Sequence, residues 1–134
     1  MRSRTACCSC GQLQIQVEGE PRGVGICHCL ACQRRTGSVF AALAGFAAPF
    51  KVIGRATDYL RVGDHGARFI FRFCPVCGTT LFHTEEGRTG SVSVAVGAFA
   101  DPDFPAPQDS VYDRRRHKWV QLPPGTKAFA EDPT

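Results

Sequence analysis

Eight cysteines gathered into three tight groups constrain this chain more than any other feature of its sequence. Cys8 and Cys10 form CxC, Cys27, Cys29 and Cys32 form CHCLAC, and Cys74 and Cys77 form CPVC, with Cys7 beside the first group. Eight in 134 residues lies below the roughly 8–10% cysteine of small disulfide scaffolds. Pairs this close strain a disulfide, yet one tight turn can aim both sulfurs at a single ion at about 2.3 Å. Taken alone, Cys74 and Cys77 also fit a redox CxxC; two further clusters in the same chain favour metal.

The residue after each group divides the cysteines between two ions. Cys10 precedes Gly11 and Cys77 precedes Gly78, and glycine permits the left-handed turn that points backbone N–H groups at thiolates. CHCLAC is followed by Gln33 and lacks that device. The two glycine-closed pairs, Cys8 with Cys10 and Cys74 with Cys77, complete a tetrahedral structural site. Cys27, Cys29 and Cys32 are left as a three-sulfur site with an open corner, the arrangement of catalytic zinc. Cys7 is a competing fourth ligand for the second ion, although it would have to point away from Cys8. His65, His83 and His117 can each close that corner from a distance. His28, between two ligands, faces away from them as a hydrogen-bonded, partly buried ring.

The rest of the sequence reads mainly as strand. QLQIQVE (12–18) and SVSVAV (91–96) alternate polar with apolar, and ARFIFRF (67–73) runs directly into the Cys74 turn. Turn signals fall at 19–25, 63–66 and 86–90. The expectation is an all-β fold of small antiparallel sheets with one short helix, Leu30 to Arg35, whose positive end lies near the second ion. At 134 residues, 43% hydrophobic and 21% charged, the chain is expected to form a single zinc-binding domain over 1–134, with a core of about 6–119 and a Pro-rich wrapping tail at 100–134. The longest apolar stretch, Phe40 to Phe50, is too short to span a bilayer. MRSRTACCSCGQ shows no signal-peptide apolar core, so the expected location is cytoplasmic. Formal charge is +4, but two zinc ions and seven thiolates together subtract three charges, leaving about +1. Net basicity therefore argues little for nucleic acid.

In order, CSCGQLQIQV, CHCLACQRRTGSVF, RFCPVCGTTLF, SVAVGAFADP and a late HKW resemble the glutathione-dependent formaldehyde-activating enzyme family, which also includes centromere protein V. The resemblance covers roughly Ala6 to Trp119. It implies an Mss4-like, zinc-stapled set of small β-sheets, a structural zinc on Cys8, Cys10, Cys74 and Cys77, and a catalytic zinc on Cys27, Cys29 and Cys32. It also implies a carbon–sulfur lyase that joins glutathione to formaldehyde as S-hydroxymethylglutathione. The chain departs from the family in its tail from Tyr112, which is short and carries DRRRHK before the tryptophan.

Three thiolates overbalance a divalent ion, so a soft incoming thiol suits the open corner better than hydrolysis does. Arg34, Arg35 or the helix start can receive glutathione carboxylates, and Thr36 or Ser38 can donate to the forming alkoxide. Small-molecule thiol and aldehyde are thus the expected partners, with no membrane. The alternative is a non-catalytic zinc-stapled module in which Arg114, Arg115, Arg116, His117 and Lys118, beside Trp119, contact nucleic acid or protein. Its binding would weaken steeply with salt and ignore the loss of Cys32.

Overall fold

The computed structural model describes residues 2–132. In chain order the strands are β1 (Ser3–Cys7), β2 (Gln14–Glu18), β3 (Gly23–Cys27), β4 (Ala41–Ala47), β5 (Lys51–Ile53), β6 (Thr57–Val62), β7 (Arg68–Phe73), β8 (Thr80–Glu85), β9 (Ser91–Ala95), β10 (Asp109–Val111) and β11 (Lys127–Ala128). One α-helix, α1 (Leu30–Thr36), follows β3. The chain is mostly β, 40% strand and 11% helical. The three strands read from alternation are present but shorter. Residues 12 and 13 belong to the Cys8 turn, where the Cys8 amide donates to the Leu13 carbonyl, and Val96 opens a 3-10 turn, Val96–Phe99.

Two sheets form. The small one has the order β1-β2-β5 and is antiparallel; the large one runs β11-β10-β3-β4-β9-β8-β7-β6. The large sheet is mixed, because β10 lies parallel to both β3 and β11. An all-antiparallel arrangement is therefore corrected at this edge. A hairpin would have reversed the strand direction, whereas the long stretch from β9 to β10 lets the chain cross over and enter beside β3 in the same direction. The segment after residue 100 thus contributes two strands, β10 and β11, to the large sheet.

Alternation decides how the sheets face each other. β2 turns Ile15 and Val17 inward, and Leu13 precedes them; all three are fully buried against Phe46 of β4, Leu81 of β8 and Val94 of β9. Each large apolar side chain buried this way contributes roughly 1.5–3 kcal/mol. Cys8 and Cys74 lie in the same cluster, so the first and third cysteine groups meet where the small sheet packs on the large one.

α1 starts where the sequence places it. Cys29 is its N-cap, its sulfur accepting from the Cys32 amide at 3.3 Å. Gly37, in the left-handed region at φ 69°, stops the helix one residue beyond the expected Arg35.

Candidate metal centres and the cleft beside them

The sulfurs of Cys8, Cys10, Cys74 and Cys77 lie within 4.8 Å of one another. Two hairpin-like turns bring them there. One runs from Cys8 to Leu13, and the other closes with the Cys74 amide on the Thr79 carbonyl and the Gly78 amide on the Cys74 carbonyl. Gly11 at φ 88° and Gly78 at φ 80° supply the left-handed residues. The Cys8–Cys10 and Cys10–Cys74 sulfur separations are 3.7 and 3.6 Å. A tetrahedron with Zn–S bonds of about 2.3 Å has edges of about 3.8 Å, so these residues fit a zinc ion. N–H donors already aim at the sulfurs: Leu13 at Cys8 (3.3 Å), Val76 at Cys74 (3.4 Å) and the Gln12 amide at Cys74 (3.0 Å). Thr79, whose hydroxyl and amide face Cys77, holds that thiol down at about 5.

Cys27, Cys29 and Cys32 form the second group, with sulfurs again within 4.8 Å of one another. Cys27 ends β3, between Ala41 of β4 and Val111 of β10. Cys29 caps α1, and Cys32 is buried one turn into it. Hydrogen bonds from Cys27 and then Cys32 hold the Cys29 thiol far below the ordinary range, while the bond to Cys29 pushes Cys27 far up. Three sulfurs this close share protons poorly without a cation, and a divalent ion resolves the conflict. Among the described residues no histidine nitrogen joins this group, and Cys7 joins neither. The adjoining cleft opens onto this group.

That cleft has a volume of about 360 Å³ and is lined by all three cysteines. Arg35, Arg61, Arg114 and Arg115 bring positive charge to it; Phe69, Phe71 and Leu43 form its apolar surface. Arg35 places Nη1 3.8 Å from the Cys32 sulfur and its guanidinium 4.4 Å from the centre of the Phe71 ring. A side groove continues past Arg34 and Tyr59. At the rim, the Tyr112 hydroxyl donates to Asp64 at 3.0 Å and lies 3.4 Å from Asp132. Burial and the neighbouring Asp64 carboxylate push that phenol well above its ordinary value.

The other sequence-derived candidates separate clearly. Arg35 lines the cleft and Arg34 the side groove, whereas Thr36 and Ser38 line neither. The Thr36 hydroxyl donates to the Cys32 carbonyl (2.8 Å) and accepts from the Ser38 amide (3.0 Å), so it is engaged in closing the helix. His65 and His83 line the cleft. His117 instead meets Gln33 Oε1 at 3.0 Å. His28 is fully buried and faces the tail, with Nε2 2.9 Å from the Ser110 hydroxyl, which donates to Asp113. The basic run does not form one surface: Arg114 pairs with Glu131, Arg116 pairs with Asp113, and Arg114 and Arg115 line the cleft. Trp119 remains 71% exposed.

Sequence reasoning missed Arg61, Gln12 and the tail's Tyr112 as site-building residues. Arg61 sits in a strand with no motif, and its role becomes visible only when β6 and β7 pair as a hairpin beside α1.

No curated protein matches the chain. A crystal structure of a Rhodobacter sphaeroides protein is similar at a TM-score of 0.53 and 25% identity, over 70% of this chain and 85% of that one. The family model for glutathione-dependent formaldehyde-activating enzyme matches residues 3–115, a span that contains both cysteine groups, α1 and the β6–β7 hairpin. The chain belongs to the glutathione-dependent formaldehyde-activating enzyme family.

Proposed function

We propose that this protein is a zinc-dependent carbon–sulfur lyase, residues 1–134 acting as one zinc-binding domain, which forms and cleaves the adduct between glutathione and formaldehyde. The observation that carries the reading is the open three-cysteine group at the wall of a basic cleft in a chain of this family. Cys8, Cys10, Cys74 and Cys77 hold the structural ion, and Cys27, Cys29 and Cys32 hold the catalytic one. When bound at the three-cysteine group, zinc supplies a Lewis-acidic position that keeps an incoming thiol as its thiolate near pH 7. The protein's residues do the remaining work. Arg34 and Arg115, at the side groove and the cleft, provide cationic partners for glutathione carboxylates. Leu43, Phe69 and Phe71 exclude water from the sulfur, which keeps it nucleophilic. Addition forms the S–C bond, moves the carbonyl π pair onto oxygen and places on that oxygen one proton, equal to the one the thiol gave up.

The test is magnetisation-transfer NMR of the exchange between free and glutathione-bound formaldehyde, with zinc-loaded wild type and folded Cys32→Ser. Acceleration above the spontaneous rate that disappears in Cys32→Ser is expected. A spontaneous rate with fully metallated wild type rejects the reading.

A further inference from the structure

Where α1 faces the β6–β7 hairpin and β8, the cleft carries three polar groups arranged around one aromatic ring, Arg35 from α1, Arg61 from β6 and His83 from β8. The Phe71 ring centre lies 4.4 Å from the Arg35 guanidinium, 5.4 Å from that of Arg61 and 4.7 Å from the His83 ring. Phe69 supports the same group from the next inward position, 5.6 Å from Arg61 and edge-on to His83 at 5.7 Å. All three polar side chains line the cleft with Cys27, Cys29 and Cys32. Among the described residues neither Arg35 nor Arg61 has an ion-pair partner, and both leave a buried Nε–H without an acceptor.

The Cys32 and Cys29 sulfurs beside Arg35 and Arg61 offset part of the guanidinium charge, and the N–H groups left without an acceptor favour a further anion forming against them. The anion's position is limited by Arg35, whose Nη1 lies 3.8 Å from the Cys32 sulfur. A glutathione carboxylate is several bonds from its sulfur, too far to be the charge at this depth. The atom that becomes negative next to the reacting sulfur is the aldehyde oxygen.

We infer that Arg35, Arg61 and His83 form the oxyanion site of this cleft, donating hydrogen bonds to the aldehyde oxygen as thiolate adds to its carbon. The inference rests on the proposed reaction. As the S–C bond forms, the C=O π pair moves onto oxygen, the two guanidinium groups and the imidazole N–H receive that charge, and solvent returns the thiol's proton to the oxygen. His83 donates a hydrogen bond without giving up its proton. Burial, followed by the nearby Arg35 and Arg61 charges, holds its pKa down at about 4, so the ring is neutral at pH 7 and remains an undepleted donor. This assigns to Arg35 of α1, Arg61 of β6 and His83 of β8 the alkoxide role that Thr36 and Ser38 were expected to fill.

Two measurements test the assignment. The first needs no turnover: zinc-loaded protein with 13C-labelled histidine is titrated with formate, a one-carbon oxyanion, and the His83 ring signals are followed by NMR. Saturable shifts at His83, weakened at least about tenfold in Arg61→Gln, are expected. Formate that leaves the His83 signals unmoved, or binds equally well to Arg61→Gln, overturns the inference. In the exchange assay, folded and fully metallated Arg61→Gln and His83→Phe should lose about 100-fold in kcat, with the glutathione KM changed less than about threefold. His83→Gln, which keeps an N–H donor, should recover most of the His83→Phe loss. A loss confined to the glutathione KM makes Arg61 a carboxylate partner and also overturns the assignment. If wild type leaves exchange at its spontaneous rate, the proposed substrate pair fails while the formate titration still decides the site.

Discussion

Removing metal should have very different consequences at the two cysteine groups, and the difference can be worked from chain topology. The four-cysteine group brings Cys10 to Cys74 across 64 positions. Treated as a cross-link, closure of a loop that long removes about 4 kcal/mol of unfolded-state entropy. Cys27 to Cys32 closes only a few residues, and the same relation gives about 2 kcal/mol. Metal binding can add more, up to the roughly 10–16 kcal/mol of apparent affinity seen in zinc peptides, against a net domain stability of about 5–15 kcal/mol. The variant to make is Cys32→Ser, expected to keep one zinc per chain, followed by stepwise chelation of that remaining ion. Metal content and far-UV circular dichroism in a denaturant titration report the outcome. With zinc present, Cys32→Ser should lose about 3–5 kcal/mol, the sum of that short closure and the cost of a hydroxyl in a buried position. Stripping its last ion should cost at least about 4 kcal/mol and drive most of the population to unfold. If stripped Cys32→Ser retains its unfolding midpoint, the four-cysteine group does not staple the sheets and the topological argument fails.

Gln12 should tune that same group without being a ligand. Its amide donates to the Cys74 sulfur at 3.0 Å and to the Arg55 carbonyl at 2.7 Å, and its oxygen accepts from the Arg55 amide at 2.9 Å. Gln12→Ala is expected to weaken metal affinity about 10–100-fold, measured by competition with a chromogenic chelator; unchanged affinity would show the bond to sulfur to be incidental. His83 carries a pH prediction. Its pKa is depressed from 6.5 to about 4, so the unfolded chain binds the proton first. The stability this confers is complete above pH 6.5 and is lost as pH falls toward 4, amounting to about 3 kcal/mol. Compared with His83→Gln in denaturant titrations, wild type should lose its relative advantage across that window. A pH-independent difference, or a His83 ring signal titrating near 6.5, contradicts the burial.

The sequence made the cysteine partition readable because it is a local property. Gly11 and Gly78 mark the two turns, and each turn is complete within a few residues. The start of α1 at Leu30 was readable for the same reason, while its end runs one residue past the expected Arg35 to the Gly37 stop. The cleft was less legible, since its floor and walls come from distant segments. Arg61 faces Phe69 and Phe71 only through the antiparallel register that sets it opposite Phe69. Thr36 and Ser38 looked available as donors beside Cys32, but a hydroxyl one turn past a buried residue can bond back to the helix carbonyl, and Thr36 does so. The parallel β10 was invisible for a related reason: a three-residue strand after a proline-rich run carries little periodicity, and its pairing with β3 is a tertiary choice.

That pairing ties the tail to the chemistry. β10 places Val111 opposite Cys27, and the His28 amide donates to the Val111 carbonyl at 3.1 Å. Below it, the buried chain from His28 through Ser110 to Asp113 fixes the following turn, and Asp113 in turn anchors Arg116. Arg114 and Arg115 are thereby directed to the cleft instead of forming a free basic strip. Their charge reinforces Arg35 and Arg61, while Tyr112 engages the Asp64 and Asp132 carboxylates at the rim. A cleft built this way attracts anions by long-range electrostatics, and under the proposed function such an anion is the incoming thiol. The segment from Ser110 to Arg116 therefore shapes the cleft through its hydrogen bonds and leaves the placing of the three cysteines to β3 and to α1 with its Cys29 cap.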